Sequence, residues 1–219
     1  MTILRTLLNG EALDHHGEFY DLAIEPPSVS TVSRRCPDFY FGGMSEPARE
    51  AAAAAADVFL MWPDTMDAVT AMLADMRQRA DRHGRTLRFG YRCHVIVRET
   101  EAEARDAARR LVSKLDPVDG ERIRQKSLDT SSVGVSRQAE LRDTSDDDGF
   151  IEDSLWTGVA RARSGAGAAI VGDPDQVRAT LRGYEELGID TFILSGYPHL
   201  EECDRFASMV LEDYHSPPL

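Results

Sequence analysis

Arg92 and His94 stand two residues apart inside the apolar run 87–97, and Tyr197 and His199 stand two residues apart just after the apolar run 191–194. A strand turns successive side chains to opposite faces, so Arg92 and His94 share one face while Tyr91, Cys93 and Val95 share the other. A guanidinium facing into a fold is costly to bury unless an anion meets it, and its rigid fork of donors suits a multi-oxygen anion. Imidazole titrates nearer neutrality than any other ordinary side chain, so His94 and His199 are candidates to hold or move a proton. Tyr197 adds a phenol, and Pro198 between it and His199 fixes one backbone dihedral of the pair. Each feature has a plainer reading: an edge-strand arginine on a surface carboxylate, a satisfied core histidine, a helix-starting histidine in solvent.

Two weaker signals accompany these. Gly42 and Gly43 precede Ser45 at a helix start, where exposed backbone N–H groups and the positive end of the helix dipole suit a phosphate. Many strand-to-helix turns contain glycine, so this signal alone decides little. Arg163, with Arg161 as its rival, precedes Ser164-Gly165-Ala166-Gly167 in the polar, aperiodic stretch 116–165. Such a stretch is expected to be a lid or a mobile loop, and Arg163 closing over a site would exclude water from it. The aspartate run 146–148 lacks the glycine-punctuated spacing of a calcium loop, so no metal site is expected there.

The elements that must position these groups alternate along the chain. Strand signals at 38–41, 58–62, 87–97 and 191–194 are separated by helical stripes. Ser45 is expected to cap the alanine-rich helix after Gly43, and Met66, Val69, Leu73 and Met76 mark the next helix. Thr100 with Glu103 forms a capping box before Ala104, Ala107, Ala108, Leu111 and Leu115. Asp173-Pro174 opens a helix that stops at Gly188, and Leu200, Cys203, Phe206 and Val210 mark the last one. Residues 1–10 read as a helix end and 11–37 as a turn-rich connection. Strand-then-helix repetition implies a parallel sheet. The absence of a GxGxxG turn and the placement of the polar groups at strand C-terminal ends favour a (β/α)8 barrel over an open sheet.

A net charge of −13 over 219 residues argues against nucleic-acid and anionic-membrane partners. No apolar run is long enough to span a bilayer. Cys36, Cys93 and Cys203 form neither a disulfide framework nor a zinc pattern, and with no leader signal at Met1 the expected location is the cytoplasm.

Several segments carry a specific resemblance: Tyr40-Phe41-Gly42-Gly43, the run from Arg88 through His94-Val95-Ile96-Val97-Arg98-Glu99-Thr100, Leu155-Trp156-Thr157-Gly158-Val159, Gly165-Ala166-Gly167 with Val171-Gly172-Asp173, and Ser195-Gly196-Tyr197-Pro198-His199-Leu200-Glu201-Glu202. In this order they resemble the C-terminal part of FMNH2-dependent alkanesulfonate monooxygenases, members of the bacterial-luciferase-like flavin enzymes. The resemblance implies a TIM-barrel-type fold of which this chain supplies the fifth to eighth β/α units as a single domain over 1–219, with 116–165 as a mobile lid. It implies cleavage of an alkanesulfonate carbon–sulfur bond to an aldehyde and sulfite, with reduced FMN and O2 as cofactors. A separate NAD(P)H-dependent FMN reductase and a homo-oligomeric state follow from the same likeness. On it, Arg92 meets the sulfonate or an oxygen-derived anion and His94 the flavin or substrate. Tyr197 and His199 position or shuttle protons, Arg163 closes with the lid, and Gly42, Gly43 and Ser45 hold the FMN phosphate. Met44 departs from the small hydroxyl residue expected after the two glycines, and the cysteine and histidine of the family's first strands lie outside this sequence. Two alternatives stay open: a catalytically incompetent half-barrel acting by oligomerising or by pairing with a separate N-terminal half, and an enzyme of the same type acting on another organosulfur compound or an alkane.

Overall fold

The computed structural model describes residues 1–219 other than 30, 34, 117, 119, 121, 124–131, 162–166, 213 and 215–219. The chain runs through α1 (Thr2–Leu8), a hairpin of β1 (Leu13–His16) and β2 (Asp21–Ile24), β3 (Tyr40–Phe41), α2 (Glu46–Ala55), β4 (Val58–Met61), α3 (Met66–Arg82), β5 (Arg88–Val97) and α4 (Glu101–Val112). After α4 come α5 (Val133–Asp143), a hairpin of β6 (Phe150–Glu152) and β7 (Leu155–Trp156), a 3-10 turn (Gly158–Arg161), β8 (Ala169–Gly172), α6 (Pro174–Leu187), β9 (Thr191–Ser195) and α7 (His199–Phe206), which continues as a π turn (Ala207–Leu211).

The four runs expected as barrel strands lie side by side in chain order, all parallel: β3 on β4, β4 on β5 and β5 on β9. This is the wall of a TIM-barrel-type fold, in the order that successive β/α units produce. Its central strands read as nearly continuous apolar runs because residues on both faces are largely buried. Phe89, Tyr91, Cys93, Val95 and Val97 of β5 join Leu73 and Met76 of α3 and Val177, Leu181 and Tyr184 of α6 in the main core. Tyr91 and Tyr184 stack there with ring centroids 4.3 Å apart, and the Tyr91 hydroxyl donates to that of Tyr184 at 2.9 Å. The alternate residues of β5, Arg92 and His94 among them, take the opposite, concave face.

β5 is longer than its neighbours, and its C-terminal half pairs with β8 as well, His94 lying opposite Ala169 on one edge and Ser195 on the other. β8 in turn carries the antiparallel β6–β7 hairpin. Ile96 of β5, Ala104, Ala107 and Ala108 of α4, and Phe150, Trp156 and Val159 form a second, smaller core at this end.

Helix starts mostly follow the sequence signals. Thr100 accepts from the Glu103 N–H, and Asp173 forms a reciprocal box with Gln176. Gly188, with φ +108°, ends α6. Three expectations are corrected. Ser45 occupies the N-cap of α2 without a side-chain capping bond. Leu111 is exposed, because the buried stripe of α4 is its three alanines. Residues 13–24 hold an antiparallel hairpin where only turns were expected. Among the described residues no helix is long and apolar enough to cross a membrane.

Candidate active site

β5 delivers Arg92 and His94 to the concave face, and the end of β9 delivers the groups that meet them. His94 is buried, and its Nδ1 lies 2.8 Å from Ser195 Oγ. That bond follows from register, since Ser195 is the backbone partner of His94 across the ladder. The Tyr197 ring stands 5.1 Å from His94 and 4.9 Å from His199, centroid to centroid. The His199 Nδ1–H donates to the Gly196 carbonyl at 2.6 Å, which leaves Nε2 as the ring atom able to accept a proton in the neutral form. The result is an unbroken run of Ser195, His94, Tyr197 and His199, with Arg92 two residues back along β5 and half-buried. His199 is also the first residue of α7 and is exposed, as its plainer reading has it, although its ring stands against Tyr197 and its Nδ1 is held by Gly196.

The 116–165 stretch has more structure than its polarity implied. α5 docks against the loop after β4: Arg137 donates to both carboxylate oxygens of Asp64 at 2.8 Å, and the Gln138 amide donates to the Pro63 carbonyl at 2.7 Å. Asp64, 8% exposed, holds the Arg137 guanidinium charged, its pKa pushed further up by that hydrogen-bonded carboxylate. Gly134 of α5 lies against Trp62 and Met44. The second core reaches the cluster directly, since Tyr197 packs on it. Within the aspartate run, Asp146 closes a turn by accepting from the Phe150 N–H at 2.7 Å. Arg163 lies outside the described residues. Its rival Arg161 ends the 3-10 turn beside Gly149, on the hairpin side.

Gly42 and Gly43 follow β3 and line a cavity of about 220 Å³ with Met44, Leu60, Trp62, Ser132 and Gly134. Gly43 has a packing reason to be glycine: a Cβ there would stand 2.7 Å from that of Ala48 in α2. The lining ends at Met44, next in sequence to the N-cap of α2, and the Ser45 hydroxyl is not spent on capping. An anion-accepting helix start and a packing glycine are therefore compatible. Leu60 belongs to β4, so the cavity reaches to one strand from β5, about 5 Å along the wall at the usual strand spacing.

Ser195 and the Asp64–Arg137 pair carry no role in the sequence reading. A serine at a strand end looks like a turn residue until its ladder partner is known, and nothing local connects positions 64 and 137.

The luciferase-like monooxygenase family model matches residues 1–191. A sulfoquinovose monooxygenase of Novosphingobium aromaticivorans is 63% identical over 219 residues, covering 100% of this chain and 60% of that protein. A sulfoquinovose monooxygenase of Agrobacterium fabrum is 47% identical over 212 residues, covering 95% of this chain and 55% of that protein. The chain thus spans somewhat more than half the length of these curated relatives. Among solved structures, DmoA from Hyphomicrobium sulfonivorans superposes with a TM-score of 0.67 at 18% identity, over 93% of this chain and 48% of that one. That likeness concerns the fold.

Proposed function

We propose that this chain, which belongs to the luciferase-like monooxygenase family, carries the substrate-facing part of a flavin- and O2-dependent monooxygenase that cleaves the carbon–sulfur bond of an organosulfonate. The observation that carries the reading is the concave cluster: a strand-borne arginine two residues from His94, with the Tyr197 ring 5.1 Å from His94 and 4.9 Å from His199. The relatives' names favour sulfoquinovose, a sulfonated sugar, over the alkanesulfonate implied by the motifs. The two share the reacting unit, R–CH2–SO3−. Insertion of one oxygen atom at that carbon and loss of sulfite gives R–CHO; the second oxygen atom leaves as water, with two electrons supplied by reduced flavin.

Reduced FMN would supply the electrons and activate O2. Gly42, Gly43 and Ser45 would hold its phosphate at the start of α2. Arg92 meets the sulfonate, its fork of donors matched to three anionic oxygens. His94 is held in one orientation by Ser195, and His199 offers Nε2 for a proton while Gly196 fixes Nδ1. Arg163, outside the described residues, is the second proposed cation on the resemblance alone. A reductase partner, homo-oligomerisation and a cytoplasmic location belong to the same proposal.

The test is sulfite release from sulfoquinovose and from a straight-chain alkanesulfonate with chemically reduced FMN. Arg92→Ala should abolish release with unchanged circular dichroism; near-normal turnover would remove Arg92 from the site. A second reading rests on the parallel wall: among the described residues β3 pairs only with β4, and β9 only with β5. Such edges accept further strands, so the active form would pair this chain with a complementary segment or a second copy. Sulfite release that rises more steeply than linearly with chain concentration, together with a doubled mass by light scattering, would support the second copy.

A further inference from the structure

Tyr197 lies on the short loop after β9 and His199 opens α7, and both ends of this segment are fastened to the same strand. At one end Ser195 is tied to His94 by the ladder and by its hydroxyl. At the other, Glu202 of α7 is 6% exposed and receives two hydrogen bonds from Arg98, the residue just after β5: Nη1 to Oε2 at 2.9 Å and Nη2 to Oε1 at 2.7 Å. Arg98 Nη1 also donates to its neighbour's carbonyl, Val97 O, at 2.6 Å, and its N–H reaches Gly172 O at 3.3 Å, so the guanidinium is anchored to the sheet. The Glu202 N–H makes the first turn of α7 by donating to Pro198 O at 3.1 Å. Gly196 completes the fit: a Cβ there would stand 2.5 Å from that of Glu202 and 3.2 Å from the Val95 carbonyl. Neither Arg98 nor Glu202 belongs to the cluster of rings.

We propose that Arg98 and Glu202 are positioning residues, a buried two-bond clamp that sets the Tyr197–His199 loop in register with Arg92 and His94. A carboxylate this buried tolerates little displacement from its partner, because separation would leave a charge without its hydrogen bonds. The paired fork fixes orientation as well as distance. Movement of the first turn of α7 would shift the Gly196 carbonyl relative to His199 and break the bond that selects the Nδ1–H tautomer. Arg205, whose Nε is 3.7 Å from Glu202 Oε1 on an exposed side chain, adds little to this geometry.

The proposal rests on the reading of the cluster as an active site, but its test does not need turnover. In the full chain labelled with 15N-histidine, long-range proton–nitrogen correlation should show neutral His199 as the Nδ1–H tautomer. Glu202→Gln should move it toward the Nε2–H tautomer that free imidazole favours, while Arg205→Ala leaves it in place. Should Glu202→Gln fail to fold, Arg98→Lys keeps the charge, loses the fork and carries the same expectation. In the flavin-supplied reaction kcat should fall on the order of 10- to 100-fold with little change in KM, the usual scale for misplacing a group by about 1 Å. A folded variant that retains the Nδ1–H tautomer with unmoved ring resonances overturns the clamp. Absence of sulfite from the unaltered chain would instead count against the functional reading and leave the clamp to the spectra.

Discussion

Ser195→Ala removes one hydroxyl and tests whether His94 is held as described. The bond it deletes joins Ser195 Oγ to His94 Nδ1 at 2.8 Å; His94 is 4% exposed and Ser195 half-buried, so water reaches the vacated position only in part. Removing one partner of a buried hydrogen bond costs about 1–3 kcal/mol, against about 1 kcal/mol or less where solvent substitutes freely. For a chain of this size each kcal/mol lowers the melting temperature by about 2–4 °C, which places the expected drop between about 2 and 12 °C. Urea unfolding followed by tryptophan fluorescence gives the same quantity at one temperature. Two comparisons separate the bond from the strand. Ser195→Thr keeps the hydroxyl and suits a strand, so it should retain most of the stability. Ile193→Val changes a residue that is 41% exposed on the same strand and should stay within about 0.5 kcal/mol of the unaltered chain. If Ser195→Ala proves as stable as Ile193→Val, His94 is oriented by something other than Ser195, and the order Ser195–His94–Tyr197–His199 loses its first link.

Gly43→Ala should destabilise by about 1–3 kcal/mol through overpacking against Ala48. Adding Ala48→Gly should recover part of that, less about 1 kcal/mol for glycine within a helix; recovery of FMN binding, read by fluorescence quenching, would separate the packing role from any direct phosphate contact. Burial raises the Glu152 carboxyl above its ordinary 4.5, and its Oε1 accepts from the Met66 N–H at 2.9 Å. The stability tied to its protonated form is complete below pH 4.5 and is lost as pH rises through the raised value, so Glu152→Gln should stabilise more at pH 7 than at pH 4 in urea titrations. Equal effects at the two pH values would show that Glu152 carries no such strain. Tyr184 is buried, its phenol pushed up by desolvation, and it donates to the Asp64 carbonyl at 3.1 Å. Tyr184→Phe should cost about 1–3 kcal/mol. The unaltered chain should lose stability as pH climbs above 10, in proportion to phenol ionisation, whereas Tyr184→Phe should show a shallower alkaline limb.

The barrel wall was legible because strands covered by helices are written as plain apolar runs, and the helices between them announce themselves by stripe and cap. Thr100, Asp173 and Gly188 each did so locally. The hairpin at 13–24 was not legible because its side chains are mostly exposed and include Asp14, His15, His16 and Asp21, so no apolar alternation marks it. β6 and β7 have three and two residues, shorter than any period can be read from. Arg92 and His94 were legible as a same-face pair because that is a property of one strand. Their relation to Tyr197 and His199 rested on the resemblance, since the ladder that brings residue 195 to residue 94 spans a hundred positions. The same limit hid Asp64–Arg137 and Arg98–Glu202: a charged residue in sequence does not name its partner.

His94 sits on a stretch of backbone with little freedom to deform. Residue 94 is the point where β5 is flanked by β8 on one edge and β9 on the other, so its backbone is fixed from both sides. A site borne on such elements keeps its geometry whether or not a ligand is present. Two sulfonates that present the same R–CH2–SO3− unit are alike to these residues. On the proposed function, discrimination between a sugar and an alkyl chain therefore belongs to what surrounds the wall: Met44 and Trp62, the α5 helix held down by Asp64, and the second core on which Tyr197 rests. Met44, Trp62 and α5 lie off the strands of the wall, where a change of residue alters the shape of the cavity without moving His94. Exchanging Trp62 for Phe should accordingly shift the ratio of kcat/KM for the two sulfonates while sulfite release from the better one persists, and a uniform loss for both would return the choice of substrate to the strand-borne cluster itself.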